Sequence, residues 1–301
     1  FRYDNNTSNG ESATIGIQVD SGDVTQYSYN NSSVRTDFDL VFKNTLLVSP
    51  DALLSLRMDE DSWGSGIGAV KDSSGNGLNG TAVNGPVTNN LNPALVGDPG
   101  TCRYGEFDGS NDYINIPDDP KLDLTGSFTV AAWVKIDSIP SSGLKTILSK
   151  DENYEFHVNS SGNINWWWQT VTPSSTRQFN STGTIIPGQW THVAIRYQSG
   201  NQTILLNGAP SGSASYSGTP RTNSDPLQVG ADQNASGRYF NGDIDEVRIF
   251  SVALSDAQIA SLASETKDFQ HFKKAKESGI PVVFFNRECN DVVANKVTID
   301  N

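Results

Sequence analysis

Short stretches of alternating apolar and polar residues, separated by turn sequences, constrain the fold of this chain more than any other feature. They lie at residues 127–135, 154–158, 164–168, 190–197, 203–206 and 243–250. Turn residues stand between them, at 72–77, 108–111, 159–163 and 207–208. Alternation with a period of two is typical of half-buried strands. Many short strands at this spacing predict an all-β sandwich or jelly roll of two antiparallel sheets.

The pattern of polar and apolar residues divides the chain into three parts. Residues 1–50 are polar with short alternating stretches and predict a β-rich segment. Residues 51–264 carry the sandwich pattern and end in a short predicted helix at 256–263, with Ser255 as its N-cap. Residues 265–301 change character, because a helical pattern is followed by a continuous apolar run at 280–285. Helix followed by buried strand predicts a short α/β tail.

Charge and composition exclude several classes of function. The chain has 34 acidic and 21 basic residues and a formal net charge of -13. Such an acidic surface argues against nucleic acid and anionic lipid as partners. No apolar run approaches the roughly 20 residues of a membrane span, so no membrane insertion is expected. Two cysteines, Cys102 and Cys289, exclude a Cys-based zinc finger or a dense disulfide scaffold. Abundant Gly, Ser, Asn and Thr indicate an exported protein.

A predicted hairpin at 154–169 supplies a candidate ligand surface. Its apolar parity is shared by six residues expected in the core: Tyr154, Phe156, Val158, Ile164, Trp166 and Trp168. Trp167 then points to the opposite face, together with Glu155, His157, Asn165 and Gln169. An outward indole among hydrogen-bonding groups suits a sugar, whose CH face stacks on the ring. The alternative is that a loop or the N-terminal segment covers Trp167. Trp133 also has outward parity and is a second candidate, expected on the same sheet.

Alternation along 243–250 singles out Asp245. Val247 and Ile249 are expected to point inward, which places Asp245 inward as well. A buried carboxylate is costly without a cation or several hydrogen-bond donors. The alternatives to a cation are that Asp245 caps backbone amides or pairs with an arginine.

Five segments in order resemble a laminin-G-like, concanavalin A-like jelly roll. They are GEFDGSNDYI at 105–114, SFTVAAWVK at 127–135, WTHVA at 190–194, GDIDEVRIF at 242–250 and ALS at 253–255. Within that family, MDE at 58–60, Trp63, KDSSGN at 71–76 and CRYGEF at 102–107 are most similar to MshQ-type proteins of mannose-sensitive pilus loci. Those relatives place a cysteine near the position of Asp61, so the resemblance gives Cys102 no disulfide partner here.

The laminin-G resemblance implies a calcium ion beside Asp245. Calcium is a hard ion that binds carboxylate and backbone oxygens. The resemblance points to Asp59, Asp72 and the turn carbonyls around residues 75–79 as further ligands, with the calcium in a structural role.

The sequence Asp243, Ile244, Asp245, Glu246 resembles the E-x-D-x-x-E strand of jelly-roll glucanases. Those enzymes need a nucleophile and an acid on one face of the strand, about 5 Å apart. Here the leading glutamate is absent and Glu246 alternates to the face opposite Asp243 and Asp245. No hydrolase activity is therefore expected. The three histidines fit no metalloprotease or serine-hydrolase motif either.

The tail resembles a different family. GIPVVFFNR at 279–287 and VTID at 297–300 are similar to one helix and two strands of a LacI-type effector-binding domain. Fewer than 40 residues are covered, so no LacI function is transferred.

Together these features predict a noncatalytic, calcium-stabilised binding module of a bacterial adhesin or pilus-associated protein, located outside the cell or on its surface. Its expected partner is a glycan or cell-surface polymer. One alternative is a protein-interaction or structural module of the same fold that contacts a surface protein and binds no sugar. Another is an accessory carbohydrate-binding domain of a polysaccharide-degrading enzyme.

Overall fold

The fold is described from a computed structural model. It describes residues 50–64, 66–91, 94 and 103–264, and the backbone of strand segments near both ends of the chain. Two compact units divide the chain, Phe1–Leu46 and Leu47–Asn301. Cys102, Cys289 and most of the tail lie outside the described residues. The three predicted segments and the LacI-type resemblance therefore stay predictions.

Strands dominate the described chain. In order they are β1 (Ser12–Gln18), β2 (Val24–Asn30), β3 (Leu54–Leu56), β4 (Thr81–Val83), β5 (Val87–Asn89), β6 (Tyr104–Asp108), β7 (Tyr113–Ile116), β8 (Phe128–Ile136), β9 (Leu144–Lys150), β10 (Tyr154–Asn159), β11 (Asn163–Thr170), β12 (Ser175–Thr184), β13 (Thr191–Gln198), β14 (Asn201–Leu206), β15 (Ala209–Ser215), β16 (Leu227–Val229), β17 (Asn241–Phe250), β18 (Val283–Phe284) and β19 (Asn295–Lys296). A 3-10 turn spans Pro120–Leu122 and one helix, α1, spans Asp256–Ser264. No helix in the described part is long and apolar enough to cross a membrane.

Two antiparallel sheets form the sandwich. The seven-stranded sheet has the order β12-β11-β10-β9-β16-β7-β4, and the eight-stranded sheet has β15-β14-β13-β8-β17-β6-β5 with β3 beside β17. Near the ends of the chain, β1 pairs with β2, and β18 pairs with β19 in parallel. The predicted all-β jelly-roll sandwich is confirmed by this topology.

The apolar faces of the two sheets meet in one core. All six hairpin residues predicted to be apolar and inward lie there at 2% exposure or less. Phe128 of β8 links the two sheets, because its ring lies 5.6 Å from Tyr154 and 6.0 Å from Trp166, measured between centroids. Large aromatic side chains bury much apolar area, so this contact stabilises the packing of the two sheets.

Helix α1 begins where the sequence predicts it. The Ser255 hydroxyl accepts a hydrogen bond from the Gln258 amide, and the Gln258 side chain accepts one from the Ser255 amide. This reciprocal capping box satisfies two amides that the first helical turn leaves unpaired. Ile259 and Leu262 of the helix pack on Ala131, Leu205 and Phe250, on the outer face of the eight-stranded sheet.

The prediction that Asp245 points into the core is wrong. The register of β17 against β8 shifts between Asp245 and Arg248, and Glu246 has a φ of 48°. Such a bulge reverses the alternation. Ile244 therefore packs in the core with Val247, while Asp245 pairs with Trp133 and shares its outward face. Asp245 is nevertheless fully buried on that face, where its Oδ1 accepts a hydrogen bond from the Glu246 amide.

Candidate functional site

Polar side chains form two rows across the outer face of the seven-stranded sheet. Strand register sets the first row, which runs Gln178, Trp167, Glu155, Ser149, Gln228, Asn115, Thr81. The second row runs Asn180, Asn165, His157, Thr146. The two rows bring Trp167, Glu155, His157 and Asn165 to the same face, as the alternation predicted. Gln169 follows on β11, opposite Thr176.

Trp167 lies at the open end of this face. Its side chain is half-buried, and the neighbours on β12 (Thr176, Gln178 and Asn180) are exposed. Asn165 is itself only 5% exposed, and its amide donates to Asn180 Oδ1 at 2.8 Å, so its role in the strip is to position Asn180. We call Asn165, Trp167, Gln169, Thr176, Gln178 and Asn180 the Trp167 strip. The sequence did not predict the members on β12. Phe179 is the one large apolar residue of that strand, and its inward position was the only signal that Thr176, Gln178 and Asn180 point outward.

Trp133 does not join this strip. It lies on β8 of the eight-stranded sheet, so the expectation that it shares a sheet with Trp167 is wrong. Its ring packs edge-on against His192 with centroids 5.4 Å apart. Trp133, His192, Arg248 and Leu262 border a cavity of about 10 Å³, near the size of a single water molecule. Because the two sheets lie back to back, one sugar cannot contact both tryptophans.

A loop between β16 and β17 covers the middle of the seven-stranded sheet. Gln233 anchors it, accepting from the Ser149 hydroxyl at 2.7 Å and donating to the Ser149 carbonyl at 3.0 Å. Arg238 attaches the other end of the loop to β9, because its carbonyl accepts a hydrogen bond of 2.7 Å from the Thr146 amide. Under this loop Glu155 is 3% exposed and His157 is fully buried. In this conformation neither can touch a sugar on the surface, contrary to their predicted place in the ligand surface.

The covered pocket brings several carboxyl groups close together. Burial, then the charge of Asp232, raises the pKa of Glu155 to about 8. Burial, then the charges of Glu155 and Asp232, raises the pKa of Asp151 to about 7. Burial lowers the pKa of His157 to about 3, so the imidazole is neutral near pH 7. Glu155, His157 and Asp232 each place one ligand atom within 4.8 Å of the others.

The three carboxylates predicted to hold calcium are not gathered into such a group. Among the described residues, three potential metal-ligand side chains come together only at Glu155, His157 and Asp232. Asp72 instead organises a turn, since its two oxygens accept from the amides of Ser55, Ser74 and Leu78 and from the Ser74 hydroxyl. Asp59 accepts from the Arg103 amide at 3.0 Å. Calcium binding itself stays a prediction.

The strand that resembles a glucanase motif holds its carboxylates in contacts within the protein. Asp243 forms an ion pair with Lys135, and burial raises the pKa of Asp243 to about 6 in spite of that pair. Glu246 is buried and pairs with Arg248 at 2.6 Å. Asp243 and Asp245 lie on the outer face of the eight-stranded sheet, far from the Trp167 strip. Glu246 borders the cavity on the same face with Trp133 and Arg248, so the prediction that it alternates to the opposite face is wrong. The bulge at Glu246 is the cause.

Comparisons with known proteins agree with this architecture. The sequence model of a family described as the concanavalin A-like lectin/glucanases superfamily matches residues 108–260. Domain 4 of AbnA, a GH43 extracellular arabinanase from Geobacillus stearothermophilus solved with arabinotriose, is similar at 22% identity and a TM-score of 0.53. That match covers 71% of this chain and 98% of the domain. No curated protein matches the sequence.

Two toxin domains are also similar in structure. The binding domain of botulinum neurotoxin serotype D matches at 20% identity and a TM-score of 0.54, over 71% of this chain and 51% of that one. The binding domain of Paraclostridial Mosquitocidal Protein 1 matches at 17% identity and a TM-score of 0.54, over 70% of this chain and 52% of that one. This chain thus spans about half the length of each toxin domain. At these identities the likeness shows a shared fold.

Proposed function

The chain belongs to the concanavalin A-like lectin/glucanases superfamily, and from that premise we propose that it is a noncatalytic module that binds a glycan or surface polymer on the Trp167 strip. Fold alone does not fix function, because one jelly roll can serve many ligands. The proposal therefore rests on the half-buried, outward Trp167 between hydrogen-bonding side chains.

The chemistry of the strip suits a sugar. The CH face of a pyranose or furanose stacks on an indole ring, which offers a large apolar surface with a polar edge. Gln169 and Gln178 flank that ring with amides that donate and accept, and Thr176 adds a hydroxyl. A few fixed polar groups around an apolar platform are typical of ligand sites in proteins.

The structural neighbours support the same class of partner. The arabinanase domain is described in complex with arabinotriose, and the toxin regions are described as binding domains. We infer an extracellular or cell-surface setting, since the arabinanase is described as extracellular. An adhesin or pilus-associated protein remains our preferred parent, on the motifs shared with MshQ-type proteins.

A glycan array tests the proposal, with arabinan oligosaccharides among the probes. The wild type is compared with Trp167→Ala and with Trp133→Ala, a matched tryptophan on the opposite sheet. We expect hits that Trp167→Ala loses and Trp133→Ala retains, with both variants shown to be folded by circular dichroism. Repeating the array in calcium and in EDTA shows whether calcium contributes.

Other outcomes favour the alternatives. A blank array with folded wild-type protein would favour the protein-interaction module. Hits confined to one plant or bacterial polysaccharide would favour an accessory domain of an enzyme that degrades it. Hits that survive Trp167→Ala would reject the Trp167 strip as the site.

A further inference from the structure

The covered pocket beside the strip contains a set of ligand atoms that the sugar-binding proposal does not use. One atom each from Glu155, His157 and Asp232 lies within 4.8 Å of the other two. Glu155 and His157 come from β10, and Asp232 comes from the loop that covers the sheet. The Asp232 side chain is only 4% exposed. Two parts of the fold distant in sequence therefore converge on one small volume.

The His157 ring gives an independent sign that this volume holds a ligand. Its Nδ1 lies 3.0 Å from Thr146 Oγ1, a contact that fixes the orientation of the ring. Its Nε2 is fully buried and has no hydrogen-bond partner among the described residues. Glu155 Oε2 lies 3.2 Å from Nε2, but the two atoms do not form a hydrogen bond. A buried polar atom without a partner costs free energy, so a group that binds Nε2 would be stabilising.

The acidic groups around His157 Nε2 indicate which kind of ligand the pocket would bind. Asp151 lies beside the cluster, bonded through its Oδ2 to the Asn234 side chain. Arg238 is the cation in contact, 2.7 Å from Asp232. Carboxyl groups thus outnumber cations around Nε2, and in a low-dielectric pocket each of them needs a proton or a cation to neutralise it. A divalent cation could replace those protons and gain oxygen ligands.

We propose that Glu155, His157 and Asp232 bind a divalent metal ion of the zinc or manganese class. Neutral imidazole nitrogen with carboxylate oxygens is a donor set that suits these ions. Calcium and magnesium prefer oxygen donors alone, which makes this site different from the calcium site expected from the family resemblance. The Thr146 contact with Nδ1 is the outer-shell support that metal-bound histidines commonly have.

The ion would join the covering loop to β10. Asp232 belongs to the loop, whereas Glu155 lies directly across the strand pair from Trp167. Metal binding would therefore hold the covering loop in place beside the Trp167 strip. This inference does not depend on the glycan proposal, because metal binding is measured without any sugar.

Calorimetry on the untagged full chain tests the site. The protein is stripped with EDTA, freed of chelator and titrated with ZnCl2, MnCl2 or CaCl2. We expect about one zinc or manganese ion per chain at this site, with affinity at least tenfold weaker in His157→Gln and in Asp232→Asn. Asp232→Asn keeps the shape of a loop residue, so it tests the site even where His157→Gln fails to fold. Cobalt(II) provides a second readout, because a nitrogen ligand changes its visible absorption.

His192→Gln and His271→Gln are the matched controls, since they remove the other two histidines. Both should bind as the wild type does. Failure of the stripped protein to bind zinc or manganese would overturn the proposal, as would binding of calcium alone. Binding that survives both site variants but is lost in His271→Gln would place the metal elsewhere.

Discussion

The two sheets present outer faces that follow the same alternation but meet different neighbours. On the eight-stranded sheet, the outward residues Ala131, Ala194 and Leu205 are apolar, and α1 covers them with Ile259 and Leu262. On the seven-stranded sheet, the outward residues of β10, β11 and β12 are polar except for Trp167. There a loop covers only the middle of the sheet, and the β11 and β12 end stays accessible around Trp167.

This difference gives the two faces different chemical properties within one fold. A face closed by a helix contributes a second small core, whereas an accessible polar face leaves side chains available to a ligand. Each of the following experiments tests this contrast between the faces, and the contrary result named for each would weaken it. They are ordered from the largest expected effect to the smallest.

Truncation under the helix should cost the most stability. Ile259→Ala removes a fully buried side chain from the contact between α1 and the eight-stranded sheet. We expect the free energy of unfolding to fall by about 3 kcal/mol, from lost burial and the cavity left behind. Urea denaturation measures it, and Ala257→Ser on the exposed side of the same helix should change it by less than about 0.5 kcal/mol. A loss below about 1 kcal/mol for Ile259→Ala would mean that the helix does not close this face.

Acid should weaken the closed face through His192. Burial, then the charge of Arg248, lowers the pKa of His192 to about 3, against an ordinary value of 6.5. As the pH falls, His192 therefore binds a proton near pH 6.5 in the unfolded chain but only near pH 3 in the folded protein. Stability from this residue is complete above pH 6.5 and is lost as the pH falls toward 3.

His192→Gln removes that dependence. Between pH 7.5 and pH 4.5 the wild type should lose about 3 kcal/mol more of its unfolding free energy than the variant does. Urea midpoints at the two pH values measure the difference, and His157, present in both proteins, cancels. Parallel pH profiles would show that His192 is accessible to solvent in the folded state.

The two outward tryptophans should differ in their cost to stability. Trp133 packs against His192 and borders the cavity near α1, whereas Trp167 lies among exposed polar side chains. We expect Trp133→Ala to cost about 2 kcal/mol and Trp167→Ala less than about 1 kcal/mol. Chemical denaturation compares them. An equal cost would indicate that Trp167 is packed as tightly as Trp133.

The smallest effect is expected at the edge of the strip. Gln178→Ala removes an exposed amide beside Trp167 and should weaken glycan affinity about two- to fivefold, as expected for one exposed hydrogen bond. Titration with a glycan identified on the array measures it. Gln198→Ala, an exposed glutamine on β13 of the other sheet, should leave the affinity unchanged. Equal losses in the two variants would argue against a specific contact at Gln178.

Local pattern was enough to predict much of the sandwich. The hairpin residues from Tyr154 to Trp168 alternate in the structure as the sequence indicates, because side chains on one strand must point to opposite faces. The capping box at Ser255 and Gln258 is equally local, since it needs only residues three apart. For the same reason the face of Trp167 relative to Glu155 and Asn165 followed from the sequence.

The sequence by itself determined the six alternating strand segments, the apolar face of the hairpin from Tyr154 to Trp168 and where the helix begins. Only the tertiary structure decided that Trp133 and Trp167 lie on different sheets, because strand order depends on pairings between distant segments. It also decided the face of Asp245, since a bulge at Glu246 arises from the register of β17 against β8. Finally it placed Asp232 over Glu155 and His157, because a loop between strands brings residues together that no sequence period relates.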